Sequence, residues 1–264
     1  MTILLLGGTA DARHLADRLL KKSVKVIYSV AGLVRTPDMT CEVLVGGFSA
    51  LGGLAHYVDE KNISMIVDVT HPYAKKITQT AMSVAEEKNI AYVRFHRPAW
   101  LPKVGDDWHE VSEWDEVLEK IKHAAAVFLT VGQLSQEQID SLHQPHSNQQ
   151  SSQKQVLRTA VKPSAILPAS IIWIKAIGPF SYQQELTTIQ QYDIDMIVSK
   201  NSGGDSTIEK LNVAREKNIP VVMLSRPGVG IPAMFKKTIF DSIEKSEAHI
   251  EKISTAMSGD NYDI

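Results

Sequence analysis

The chain has 264 residues, 44% of them apolar and 22% charged, with a formal net charge of −2. That length is long for one core and comfortable for two domains. The balanced charge gives no ground for a nucleic-acid partner, although local basic clusters can still serve a small anion. A single cysteine, Cys41, excludes an internal disulfide and a cysteine zinc cage and fits a reducing compartment. The opening apolar run, Met1 to Leu6, is too short for a signal sequence and lacks a basic flank. No later run approaches a membrane span, so a cytoplasmic protein with no membrane partner is expected.

The first hundred residues alternate between strand and helix patterns. Residues 3–6 form an apolar run, followed after two glycines by Ala12, Leu15, Ala16, Leu19 and Leu20 at helical spacing. Residues 24–30 read as the next strand, 42–45 as a third and 51–58 as a short helix. Residues 65–69 are a strand, and the helix after it puts Ala74, Ile77, Ala81, Val84 and Ala85 on one face. Residues 91–95 complete this half. Pro98 and Pro102, four apart, mark a crossing linker.

The alternation then repeats. Helices are expected over 114–122, from Ser181, and over 207–217; strands over 126–130, 171–174, 196–199 and 221–224. Ser181 with Gln184 and Ser206 with Glu209 have capping-box spacing. Residues 143–155 are rich in Gln and Ser and read as a surface loop. The expected fold is α/β: two Rossmann-like domains with mostly parallel sheets and an interdomain cleft, the first over 1–97, the second over 98–257, with a frayed tail over 258–264.

Polar loops follow four of these strands. Gly7-Gly8-Thr9 joins a strand to an amphipathic helix, where glycines let backbone N–H groups approach a pyrophosphate at a helix start. An NAD site usually has a carboxylate at the end of the second strand. Here Ser29 ends it and Arg35 follows, a pair suited to a 2′-phosphate, so NADPH is expected and NADH is possible. Lys75 and Lys76 open a helix where cations oppose the dipole, as residues that meet an anion can. Lys200-Asn201-Ser202-Gly203-Gly204 joins a strand to a helix and suits carboxylate binding. His143 and His146 are the only histidines near metal spacing, and no metal site is expected; neither a Gly-x-Ser-x-Gly elbow nor a Tyr-x-x-x-Lys dyad after Tyr73 is present.

Six stretches in order carry a family resemblance. They are residues 6–13 (Leu6 to Arg13), 68–74 (Asp68 to Ala74), 97–100 (Arg97 to Trp100), 178–181 (Gly178 to Ser181), 200–204, and 219–222 with Arg226-Pro227. Together they resemble the precorrin-6A reductase family of cobalamin biosynthesis, including its cobalt-precorrin-6A relatives. Two features depart from it: Leu33, where the family often has arginine, and a local insertion around residues 146–153.

The resemblance implies hydride transfer from NAD(P)H to the C18–C19 double bond of a polycarboxylate tetrapyrrole, with hydride to C19 and a proton to C18. It implies Gly7, Gly8, Thr9 and Asp11 at the cofactor phosphates, Ser29 and Arg35 near the adenosine end, and Thr70 beside the nicotinamide. His71, Tyr73 and Lys200 would be catalytic, with Tyr73, His71 or water as the proton source. Lys75, Lys76, Asn201, Ser202 and Gly203 would meet substrate. Two other readings stand beside this one: a reductase of a different small anion, and a nucleotide-sensing regulatory module.

Overall fold

β1 (Thr2–Leu6) is buried at all five positions, and its side chains alternate between two apolar layers. In the computed structural model, which describes residues 1–32, 38–142 and 153–259, Ile3 and Leu5 face α1 (Ala10–Lys21) through Ala12, Leu15, Ala16 and Leu19. Leu4 and Leu6 face the opposite layer. The first sheet continues with β2 (Lys25–Val30), β3 (Glu42–Val45), β4 (Met65–Asp68) and β5 (Ala91–Phe95). Two helices, α2 (Leu54–Glu60) and α3 (Lys75–Glu87), supply Leu54, Val58, Ala81 and Ala85 to the layer of Leu4 and Leu6. Leu4 stands opposite Ile27 on one side and Ile66 on the other, so β1 and β4 are adjacent central strands. All pairings are parallel, which opens every strand's carboxyl end on one edge.

The second unit, residues 99–226, is built separately in the same way. It runs β6 (Trp108–Val111), α4 (Trp114–Ile121), β7 (Ala126–Thr130), α5 (Gln136–Ser141), β8 (Lys154–Thr159), β9 (Ile171–Lys175), α6 (Tyr182–Gln191), β10 (Met196–Lys200), α7 (Glu209–Lys217) and β11 (Val221–Leu224). Its parallel sheet has the order β6-β11-β10-β7-β8-β9. Val127 and Leu129 meet α4 and α5, whereas Ala126 and Phe128 meet α6, α7 and Trp100.

From residue 227 the chain belongs to the first unit again. β12 (Ile239–Phe240) pairs with β5, giving the sheet order β12-β5-β4-β1-β2-β3. α8 (Ile243–Gly259) adds Ile243 and Ile250 to the layer beneath α1, and Arg18 Nε donates to Glu247 Oε2 at 2.7 Å between the two helices. The expected second domain over 98–257 is therefore corrected: residues 227–257 belong to the first unit, where they seal an apolar face that the first ninety-eight leave open. Of the expected tail, Ser258 and Gly259 close α8; residues 260–264 lie outside the described residues, as do 143–152 of the expected loop and Leu33.

Other elements differ from expectation. β6, α5, β8, β12 and α8 were not foreseen, and Lys154 and Gln155, assigned to a loop, open β8. Gln155 is buried there because Leu142 O and Gln153 Oε1 accept from its amide. The capping box at Ser181 forms in full. The one expected at Ser206 does not: Asp205–Thr207 is a 3-10 turn and α7 begins at Glu209 without a side-chain cap. Among the described residues no helix is long and apolar enough to cross a membrane.

Candidate active site

From β1 the first sheet grows outward through β2 and β3, then resumes on the other side with β4 and β5. The reversal falls between the loops after β1 and β4, the position at which open α/β sheets bind ligands. Gly7 N–H donates to Ser29 O at 2.8 Å, and Gly8, at φ +103°, donates to the Tyr28 hydroxyl at 3.2 Å. A Cβ on Gly7 would lie 2.4 Å from the buried Tyr28 ring, so only glycine fits. Burial pushes the Tyr28 phenol pKa up, which keeps it protonated.

Thr9 is the N-cap of α1. Its hydroxyl accepts from Ala12 N at 3.1 Å and donates to Val69 O at 3.0 Å, so it joins the two loops across the reversal. That hydroxyl is spent on structure; the N–H groups of the first helical turn are what α1 presents to an anion. Asp11, in that turn, lies 3.2 Å from Arg97 Nη1. The carboxylate thus holds a guanidinium near the helix start. Ser29 is buried on β2. Arg35 lies outside the described residues.

Beyond β4, the Thr70 hydroxyl donates to Asp68 Oδ1 at 2.6 Å. Tyr73 N–H donates to His71 Nδ1 at 3.3 Å, so in the neutral ring the proton sits on Nε2 and that nitrogen is a donor. The two rings are tilted 40° with centroids 5.6 Å apart. Lys75 and Lys76 are exposed at the start of α3, whose N-cap Ala74 offers no side-chain bond. One edge of this unit therefore gathers Gly7, Gly8, Thr9, Asp11, Thr70, His71 and Tyr73.

Lys200, Asn201, Ser202 and Gly203 belong to the other unit, in the loop after β10. Lys200 ends the strand partly buried, and burial pulls its ammonium pKa down. Asn201 is a bracket: its amide accepts from Trp100 N at 2.8 Å and donates to Trp100 O at 3.0 Å. Its own carbonyl accepts from Arg226 Nε at 2.8 Å. Ser202 N–H turns back to Lys200 O at 2.8 Å, and Gly203 has φ +70°.

Both units fall within one match to known proteins. Residues 2–251 match the family model described as precorrin-6x reductase CbiJ/CobK. The chain belongs to the precorrin-6x reductase family, and it is a reductase. It is 35% identical over 228 residues to a protein of Rhodococcus erythropolis named precorrin-6A reductase, covering 85% of this chain and 89% of that one. A Sinorhizobium protein of the same name is 36% identical over 232 residues, covering 85% and 84%. A solved structure titled CobK precorrin-6A reductase superposes with a TM-score of 0.82 at 26% identity over 96% of both chains.

Members of the site that the sequence reading left out are Asp68, Tyr92 and Arg94 under the Thr70 loop, and Tyr28 under the glycine loop. Each had a signal. Asp68 and Arg94 are charges inside apolar strand runs, Met-Ile-Val-Asp and Ala-Tyr-Val-Arg-Phe, and a buried charge needs a partner.

Proposed function

We propose that the protein reduces precorrin-6A, metal-free or cobalt-bearing, to its dihydro product in cobalamin biosynthesis, with NADPH as the reductant. The observation that carries the reading is a coincidence of place. The glycine loop and the Asp68–Ala74 loop, both part of the family pattern, meet at the strand-order reversal of one parallel sheet and are joined there by the Thr9–Val69 hydrogen bond. NADPH would supply hydride, which ends on C19 of the macrocycle. The N–H groups of the first turn of α1 suit its pyrophosphate, and Gly7 and Gly8 form the turn that sets that helix start, Gly7 packed so closely on the Tyr28 ring that no side chain fits. Ser29 and Arg35 would lie toward its adenosine end. The lack of a carboxylate at the end of β2 favours NADPH over NADH.

The protein's own groups bind, orient and hold protons. Protonation at C18 falls to His71 Nε2, Tyr73 or water. Lys200, with Lys75 and Lys76, answers the carboxylate arms of the substrate, and the loop through Ser202 and Gly203 shapes that contact. Purified protein is expected to oxidise NADPH only when a precorrin-6A-type pigment is present, with a matching change in the pigment's visible spectrum. No turnover with either the metal-free or the cobalt pigment removes the assignment.

Lys200→Ala separates the roles of the two units. A charge-assisted hydrogen bond is worth about 1.5–3 kcal/mol, so the variant should raise pigment KM by roughly ten- to a hundredfold. Its Kd for NADPH should move less than about twofold. Equal loss of both in titrations contradicts the assignment of Lys200 to substrate.

A further inference from the structure

Asp68 ends β4 fully buried, and its polar neighbours form a closed set of donors. Oδ1 accepts from Thr70 N–H at 3.0 Å and from the Thr70 hydroxyl at 2.6 Å. Oδ2 accepts from the Tyr92 hydroxyl at 3.0 Å, with Arg94 Nε 3.8 Å away. All three hydrogen bonds run toward the carboxyl group, so Asp68 serves as an acceptor through both oxygens.

A threonine hydroxyl has one proton and two lone pairs. At Thr70 the proton is committed to Asp68. In the 3.4 Å contact between Thr70 Oγ1 and Thr78 Oγ1, Thr78 must therefore be the donor, which fills one lone pair of Thr70. The second lone pair is left, on a partly exposed residue at the carboxyl end of a central strand. Such a hydroxyl cannot donate to phosphate or carboxylate. It can only accept.

We propose that Asp68 makes Thr70 an acceptor-only reader of a hydrogen-bond donor on the nicotinamide riboside half of the bound dinucleotide. Thr70 touches the ligand; Asp68 is a positioning residue that acts through it. The proposal rests on the NADPH reading above. Pyrophosphate offers only acceptors, so Thr70 has no bond to make with it. The adenosine half runs toward β2 in folds of this order, and β4 lies on the opposite side of β1. The donors on the remaining half are the carboxamide N–H and the ribose hydroxyls.

Dissociation constants for NADPH and for adenosine 2′,5′-bisphosphate, which lacks the nicotinamide riboside, test this. Thr70→Val should raise the NADPH Kd about three- to tenfold, as loss of one neutral hydrogen bond does, and leave the bisphosphate Kd within twofold. Thr70→Ser, which keeps the hydroxyl, should stay within twofold of wild type for both. The 3-acetylpyridine analogue of NADPH tells the two donors apart. If the carboxamide is read, the Thr70→Val penalty vanishes with that analogue; if a ribose hydroxyl is read, it persists. Asp68→Asn should weaken NADPH binding in the wild-type background and add less than twofold in the Thr70→Val background. Unchanged NADPH affinity in Thr70→Val overturns the proposal, as does equal weakening of the bisphosphate or an additive Asp68→Asn effect. Wild-type protein that binds neither nucleotide overturns the NADPH reading, and this proposal with it.

Discussion

Glu185→Ala is expected to lower the unfolding free energy by about 3–5 kcal/mol, the usual effect of breaking a buried ion pair from one side. Arg158, on β8, and Glu185, on α6, are 8% and 0% exposed. Their contact is bidentate, Nη1 to Oε2 at 2.8 Å and Nη2 to Oε1 at 2.9 Å. The guanidinium carbon also lies 3.8 Å from the Phe180 ring centroid and 4.8 Å from that of Phe128. With the carboxylate gone, a guanidinium that cannot shed its proton stays buried against rings alone. Glu185→Gln keeps one acceptor and should cost less. Removing both charges together, Arg158→Met with Glu185→Leu, should recover most of the loss, because the desolvation cost disappears with the pair. Urea titrations of the three variants decide it. A loss below about 1 kcal/mol for Glu185→Ala would show that water reaches the pair.

The strands that were legible in the sequence are those with a near-continuous apolar run. Residues 2–6, 65–68, 126–130 and 196–200 are buried on both faces, as strands of covered parallel sheets are. β8 was missed because Lys154, Gln155 and Arg158 break the pattern, and each has a partner elsewhere in the chain: Tyr192 O, Leu142 O and Glu185. No local rule reveals such partners. α8 was missed for a related reason. Its buried face includes Ser246 and Glu247, and Glu247 is tolerated only because Arg18 and Lys22 of α1 meet it. That pairing joins the β12–β5 ladder and the burial of Ile243 and Ile250 in tying residues 227–259 to the first unit.

At the site, glycines and loop positions were legible, whereas the use of each side chain was not. Thr9, Thr70 and Asn201 all have polar groups suited to ligands, yet their bonds run to Val69, Asp68 and Trp100. A hydroxyl or amide in a loop carries the same signal in sequence whether it binds a ligand or the loop itself. Asp68 shows the converse. It sits in the quoted motif, but its second oxygen is met from β5, by the Tyr92 hydroxyl with Arg94 beside it, twenty-four and twenty-six residues later.

Lys210→Met should give a stability difference from wild type that depends on pH. Lys210 is 2% exposed on α7, and its Nζ donates to Thr207 O at 2.8 Å and lies 5.1 Å from the Trp100 ring centroid. Burial lowers its pKa to about 7 from an ordinary 10.5; Glu185 opposes the shift and Arg158 adds to it. Between those two values the unfolded chain binds a proton that the folded one does not, so the wild type gains stability as pH rises through this window. Below pH 7 both states are protonated and the cost of the buried charge is fully present. Methionine removes that dependence. It also leaves Thr207 O without its donor, a loss of about 1 kcal/mol that does not vary with pH. The advantage of wild type over Lys210→Met should therefore grow by roughly 2–3 kcal/mol from pH 6 to pH 9. Paired denaturant titrations at the two pH values measure it directly, because groups common to both proteins cancel. A difference that is flat with pH would mean that Lys210 stays charged inside the folded unit.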